Sequence, residues 1–125
     1  MSFETPQHKV EGLGSAHSGV GHFKQQRVTA IALIPLTVWF AVSMLGLAGT
    51  KEVSVLIFLA NPLNAILLGA FILISLYHLA LGIREVIVDY IPHEGVKLFL
   101  MFCNYGFAFL VAAVCLFALA RITIA

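Results

Sequence analysis

Phe71-Ile-Leu-Ile-Ser-Leu-Tyr-His-Leu-Ala-Leu-Gly-Ile-Arg-Glu-Val-Ile-Val-Asp-Tyr90 begins as a segment apolar enough for hydrocarbon and ends as a polar one. Because an α-helix turns by about 100° per residue, residues spaced alternately four and three apart share one side of it. That side carries Phe71, Ser75, His78, Gly82, Glu85 and Asp89. A hydrophobic helix that aligns its polar groups in this way faces something other than lipid.

The composition is that of an integral membrane protein. The chain has 125 residues, of which 61% are hydrophobic and 10% are charged, and its mean hydropathy is +1.02. In soluble domains about a quarter of the residues are charged. The net charge of +1 gives no basic footprint for nucleic acid, so we expect lipid, and no nucleic acid, around this chain.

Three segments are long and apolar enough to cross a bilayer. The uncharged run 53–83 would overshoot the hydrocarbon as one straight helix, but Asn61-Pro62 divides it, because Asn caps helices and Pro suits a first turn. We therefore predict an all-α integral membrane protein with an up-down-up bundle of three transmembrane helices. The predicted spans are about 28–48, 62–90 and 98–120.

The segment before the first span is polar and rich in Gly, Ser and His. We expect residues 1–22 to form an N-terminal arm, flexible or ordered by a partner, and residues 23–125 to form the three-span membrane domain. No apolar core of a cleavable signal is visible in the arm, so we expect it to stay on the mature protein.

The positively charged residues predict the orientation, because Lys and Arg are enriched on the cytoplasmic side. Two lie on the side of the 48–62 connection and the C-terminus, Lys51 and Arg121. The other side holds five, Lys9, Lys24, Arg27, Arg84 and Lys97. We predict a cytoplasmic N-terminus and a C-terminus on the opposite face of the membrane.

His78 is the only histidine inside any predicted span. An ionisable residue in hydrocarbon is costly and is usually functional. Its position alone leaves two alternatives open, a haem or metal ligand and a structural hydrogen bond. A six-coordinate haem needs two axial ligands, so the second one would come from another subunit or from a second copy of this chain.

The residues at the inner ends of the spans are individually ambiguous. Glu85 and Asp89 place negative charge at the C-terminal end of a helix, where the dipole disfavours it. This suggests cationic partners or proton handling, and the alternative, favoured for Glu85 alone, is a solvated helix end at the membrane interface. Tyr90 suits a membrane interface but can also donate a hydrogen bond to a carbonyl. Arg27 suits cytoplasmic flanking or pairing with an anionic ligand group.

Read together, these segments resemble a known family. His78-Leu-Ala-Leu-Gly-Ile-Arg-Glu-Val-Ile-Val-Asp-Tyr90 is similar to the second helix of the D-type hydrophobic membrane anchor subunit of succinate dehydrogenase, respiratory complex II. Gly14-Ser-Ala-His-Ser-Gly-Val-Gly-His-Phe-Lys-Gln-Gln-Arg27 and the residues up to Leu36 resemble the start of the first helix in alphaproteobacterial members. The resemblance covers about residues 14–120.

The resemblance implies roles for four residues. His78 matches an axial ligand to the iron of a b-type haem, whose other ligand comes from a larger cytochrome-type anchor subunit. Tyr90 matches a tyrosine that hydrogen-bonds a ubiquinone carbonyl, and Asp89 matches the neighbour that supports this quinone site. Arg27 matches an arginine near the haem propionates. His22 matches the same region, whereas His93 falls one place later than in many relatives and receives no role.

The expected function is therefore electron transfer at a membrane anchor. The chain would help to bind haem b, form part of the ubiquinone-reduction site and tether a flavoprotein and an iron–sulfur subunit, with no complete catalytic site of its own. The expected location is the bacterial inner membrane, with the C-terminus periplasmic. Two alternatives remain, a haem-free structural or proton-conducting subunit and a homodimeric b-type cytochrome with both ligands from His78 copies.

Overall fold

The computed structural model describes residues 17–125, with side chains from residue 20 onward. Four helices follow one another along the chain, α1 (His17–Leu47), α2 (Glu52–Ala60), α3 (Pro62–Tyr90) and α4 (Glu94–Ile124). Three stretches are long and apolar enough to span a membrane, Val20–Leu47, Pro62–Tyr90 and Glu94–Ile124. In the described range all regular structure is helical. The predicted all-α, three-span architecture is confirmed.

The outer helices are longer than the predicted spans. α1 begins at His17 rather than near residue 28, and α4 runs from Glu94 to Ile124 rather than over 98–120. The prediction counted uncharged residues, whereas a helix continues beyond the hydrocarbon for as long as its backbone hydrogen bonds are satisfied. Residues 1–16 of the predicted arm lie outside the described part of the chain. The last residues of the arm, from His17 onward, belong to α1.

The junction of α2 and α3 forms at Asn61-Pro62, as predicted. The Asn61 side chain accepts hydrogen bonds from the backbone N–H groups of Leu63 (3.0 Å) and Asn64 (3.4 Å). These are donors that the first turn of a helix cannot satisfy internally. Pro62 takes the first helical position, where its missing N–H costs nothing. The cap thus separates a nine-residue helix from the full membrane span.

His93 is the N-cap of α4. Its Nδ1 accepts a hydrogen bond from the backbone N–H of Val96 at 3.3 Å. The Glu94 carboxylate pairs with Lys97 one turn later, at 3.0 Å. His93 therefore has a local structural task at the turn between α3 and α4.

α3 is the central helix, packed against both α1 and α4. The most buried apolar side chains of the described residues all belong to it, at Ala65, Ala80, Leu81 and Ile87. Early residues of α3 lie beside late residues of its neighbours, which makes both pairs antiparallel. On one side Phe71 stacks on Phe40 of α1, with ring centroids 4.8 Å apart.

Most of the remaining surface is apolar and faces outward. Phe102 and Phe109 of α4 are each 76% exposed, and Leu45 near the end of α1 is equally exposed. In a membrane such side chains meet lipid tails or the helices of other subunits. The short helix α2 closes one end of the bundle, because Phe58 stacks on Trp39 and the Leu59 carbonyl accepts a hydrogen bond from Thr123 of α4.

Gly69 tests the packing of α3 on α4. A Cβ at this position would lie 3.6 Å from Leu116 and 3.7 Å from Leu119, which is ordinary contact, so Gly69→Ala should assemble normally. Gly69→Leu should overpack the interface and destabilise the bundle by about 1–3 kcal/mol. Denaturation of the detergent-purified protein measures this loss. Gly46→Leu, at an open site, is the control; equal stability of the two leucine variants would contradict the packing.

Candidate functional site

The site is built around the side chain of His78, in the C-terminal half of α3. Its Nδ1 lies 2.8 Å from the Oγ1 of Thr29 on α1, which is hydrogen-bonding distance. Thr29 is one of two buried polar residues in the described part of the chain. The ring of His78 is therefore held by a neighbouring helix inside a segment apolar enough to cross the membrane.

The Thr29 hydroxyl also meets its own backbone. Its Oγ1 lies 2.8 Å from the Gln25 carbonyl oxygen and 3.0 Å from that of Gln26, one turn earlier in α1. Threonine commonly donates to such carbonyls within a helix. The hydroxyl thus joins the backbone of α1 to the imidazole of α3.

The other nitrogen of His78 has no such partner in the described part of the chain. Among the described residues no group hydrogen-bonds Nε2. The side-chain atoms that are fully buried without a partner lie elsewhere, on His22 and Gln26. A histidine anchored through one nitrogen, with the other open, has the arrangement of a metal-ligating imidazole. No described cluster of three or more His, Cys, Asp or Glu could hold a metal ion by itself. The described residues therefore offer the His78 imidazole and not a complete metal site.

A column of polar residues leads from the N-terminal end of α1 to this histidine. His22, Gln26 and Thr29 are spaced four and three residues apart and so share one face of α1. Gly82 of α3 lies against the same face, because a Cβ there would meet Gln26 Nε2 at 3.5 Å. Two atoms of the column, His22 Nδ1 and Gln26 Oε1, are buried and have no hydrogen-bond partner in the part of the chain that the structure describes. Such atoms normally find a water or a group of another molecule.

A second polar bond holds α3 from the other side. The Asn104 side chain of α4 is buried, and its Nδ2 donates to the Ala80 carbonyl at 2.8 Å. Ala80 lies two residues after His78. The segment that carries the histidine is thus hydrogen-bonded to α1 on one side and to α4 on the other.

The acidic residues of the predicted stripe have different surroundings. The Glu85 carboxylate pairs with its neighbour Arg84 at 2.6 Å, and half of the Glu85 side chain is exposed. Exposed ion pairs of this kind contribute little stability. Asp89 is exposed, and no described residue forms an ion pair or side-chain hydrogen bond with it. Glu85 therefore has a local partner in Arg84. The sequence pattern alone had not explained why a carboxylate lies at this position.

Tyr90 ends α3 and is 78% exposed. It lies twelve residues after His78, about 18 Å along the helix and roughly 120° around it. The two residues thus belong to separate places on the molecule. A site around Tyr90 would need walls from outside the described part of this chain.

Arg27 is not brought to His78. Its guanidinium lies over the Phe23 ring, 5.0 Å from the centroid, and the residue is exposed. On an ideal helix it points roughly 160° away from Thr29. Arg27 is thus turned away from the face of α1 that contacts His78.

Sequence reasoning singled out His78 but missed Thr29, Gln26 and Asn104. A usable signal was present, because Thr29 and Asn104 are polar residues inside apolar spans. Such residues normally hydrogen-bond across helices. Their partners were not readable from the sequence, since the pairing depends on how α1 and α4 are rotated against α3.

These features define a class, a polytopic helical membrane protein that offers a single anchored histidine from its central span. The chain matches, over residues 1–119, the family described as succinate dehydrogenase/fumarate reductase transmembrane subunit. The chain belongs to this family.

Named relatives agree with the match. The chain is 34% identical, over 97% of its length and 93% of the relative's, to a succinate dehydrogenase hydrophobic membrane anchor subunit of Paracoccus denitrificans. It is 39% identical to the subunit of the same name from Rickettsia bellii, over 66% of each chain. No solved structure was found to match the chain. The resemblance to the alphaproteobacterial anchor family is confirmed.

The bond between Asn104 and Ala80 has a measurable consequence. Asn104→Ala should lower the stability of the purified protein by about 0.6–1.7 kcal/mol, the range found for hydrogen bonds between membrane helices. Denaturation in detergent measures the change. Cys103→Ala, at the exposed neighbouring position, is the matched control and should leave stability near that of the native protein. An unchanged Asn104→Ala variant would mean that this hydrogen bond does not stabilise the packing of α4 on α3.

Proposed function

We propose that this chain is the hydrophobic membrane anchor subunit of a succinate:ubiquinone oxidoreductase. Support comes from the family match over residues 1–119 and from relatives that carry this name. The chain is a multi-pass membrane protein by its three apolar helices. Its task is to hold the membrane-facing end of an oxidoreductase complex. It contributes side chains to cofactor and quinone sites without completing a catalytic site alone.

His78 is the proposed axial ligand of a b-type haem. The observation that carries this role is the asymmetric environment of its ring, with Nδ1 bonded to Thr29 and Nε2 free of any described partner. A bound haem supplies a one-electron redox centre. The second ligand would come from a larger cytochrome-type anchor subunit, as the resemblance to the family implies.

Tyr90 and Asp89 are the proposed quinone-side residues. Both are exposed at the end of α3, where hydrocarbon gives way to polar surroundings. A phenol donates a hydrogen bond to a quinone carbonyl, and a neighbouring carboxylate orients cationic groups of an adjoining subunit. Ubiquinone reduction consumes two protons, which suits a pocket at the wet edge of the membrane.

Arg27 is the proposed partner of a haem propionate. This role rests on the resemblance and on its exposed, cationic side chain at the same end of the bundle as Tyr90. Arg27 would hold the propionate through a charge-assisted hydrogen bond.

The remaining partners follow from the kind of complex. A flavoprotein subunit oxidises succinate, and an iron–sulfur subunit carries the electrons to the membrane. Both dock on the side that carries Tyr90, which the positive-inside rule places in the cytoplasm. In a bacterium this membrane is the inner one, with the C-terminus of the chain in the periplasm.

Removal of the His78 imidazole tests the haem role. The purified complex with His78→Ala should lose most of its b-haem absorbance, because the iron loses one of two axial ligands. His93→Ala is the matched control, since His93 caps α4 and should not affect haem content. Full absorbance in His78→Ala would exclude the ligand role.

Removal of the Tyr90 hydroxyl tests the quinone role. Tyr90→Phe should lower succinate–ubiquinone reductase activity about tenfold or more, since one hydrogen bond to a developing charge contributes about 1.4 kcal/mol or more. Succinate oxidation with an artificial dye should stay unchanged. Tyr105→Phe, a half-exposed tyrosine on α4, is the control. Native quinone reductase activity in Tyr90→Phe would count against the assignment.

A further inference from the structure

We propose that Thr29 is the positioning residue of His78, which it holds as the Nδ1–H tautomer so that the Nε2 lone pair faces the haem iron. The inference rests on the proposed haem function and extends it to a residue of α1. It assigns the proton, the ring orientation and part of the ligand strength to one hydroxyl group.

The proton assignment follows from the three contacts of Thr29 Oγ1. Two are to carbonyl oxygens, of Gln25 at 2.8 Å and of Gln26 at 3.0 Å, and the third is to His78 Nδ1 at 2.8 Å. A carbonyl oxygen only accepts, and a hydroxyl has one proton to donate. If that proton pointed to the histidine, two oxygen pairs would stand at about 3 Å with no hydrogen between them.

The favourable arrangement has the hydroxyl donating to its own helix. Thr29 then offers its lone pairs, and His78 Nδ1 must carry the proton that it donates to Oγ1. In a neutral imidazole the other nitrogen is consequently an acceptor. His78 Nε2 thus has its lone pair free, which is the state that binds a metal.

The surroundings make this bond a strong restraint. Thr29 is 9% exposed, so little water competes for its hydroxyl. The β-branched side chain is stiff at χ1, and its bond to the carbonyls of the preceding turn holds Oγ1 in one direction. The Asn104 side chain of α4 donates a hydrogen bond to the carbonyl of Ala80, two residues after His78 in α3, and this bond restrains the backbone that carries the ring.

The Thr29 hydroxyl, as the hydrogen-bond acceptor, also changes how strongly His78 Nε2 binds a metal. A hydrogen bond from Nδ1–H makes an imidazole more basic toward a metal at Nε2, and loss of such a partner typically weakens metal binding about 10- to 100-fold. A more basic ligand favours the ferric over the ferrous iron. Loss of the Thr29 hydroxyl should therefore raise the midpoint potential of the haem and speed its release.

The test compares Thr29→Val with Thr29→Ser in the complex purified from membranes. Valine keeps the shape but removes the hydroxyl, whereas serine keeps the hydroxyl. The measurements are the midpoint potential by redox titration and the rate of haem transfer to excess apomyoglobin. We expect Thr29→Val to shift the potential upward and to release haem about 10- to 100-fold faster. Thr29→Ser should stay close to the native protein.

Thr123→Val is the matched control, because the Thr123 hydroxyl also joins two helices through backbone carbonyls but lies far along α4 from His78. Its potential should be native. Native potential and haem release in Thr29→Val, or equal shifts in the valine and serine variants, would overturn the proposal. If Thr29→Val does not assemble, Thr29→Ala takes its place with the same expected shift, and a native potential there overturns the proposal too.

The outcome is separable from the haem assignment itself. If His78→Ala keeps its haem, the ligand role fails, and the role of Thr29 fails with it. If His78→Ala loses haem while the Thr29 variants without a hydroxyl behave as native, the ligand role stands and only the positioning role is wrong.

Discussion

A polar group inside hydrocarbon has no water to bond, so it must find a partner in the protein. The partner of His78 in α3 is the Thr29 hydroxyl of α1. Nearby, the Ala80 carbonyl accepts a hydrogen bond from the Asn104 side chain of α4. Each bond between membrane helices contributes about 0.6 kcal/mol on average, so apolar packing supplies most of the association. The two bonds define instead how the three helices are rotated against one another.

The rotation has a functional result. With Nδ1 turned to α1, no described residue hydrogen-bonds the remaining nitrogen of His78, which is the nitrogen that the proposed haem would use. On the face of α1 that carries Thr29, His22 Nδ1 and Gln26 Oε1 are buried and have no hydrogen-bond partner among the described residues. The Tyr90 end of α3 is separate, exposed and about 18 Å away along the helix. In the proposed function, haem binding at His78 and quinone binding at Tyr90 would therefore take place at separate positions along α3.

Much of this architecture was readable from residue order. Uncharged length predicted the three spans, and Asn61-Pro62 predicted the start of α3 because capping is a local property. The helix ends were less predictable, since α1 and α4 continue past the last apolar residues. His78 was identifiable from the sequence because an ionisable side chain inside hydrocarbon costs free energy and is usually functional. Its partner Thr29, forty-nine residues away, depends on tertiary packing that periodicity along one helix does not contain.

The central claim is that this anchor presents His78 to haem through Nε2, with Thr29 holding Nδ1. The most direct measurement is a high-resolution structure of the assembled complex, purified through a tag on this chain. The account predicts iron bonded to His78 Nε2 at about the distance of a metal–imidazole bond, 2.0–2.1 Å, a second ligand from a larger anchor subunit, and Thr29 Oγ1 within hydrogen-bonding distance of Nδ1. Haem bound away from His78, or iron on its Nδ1, would contradict it.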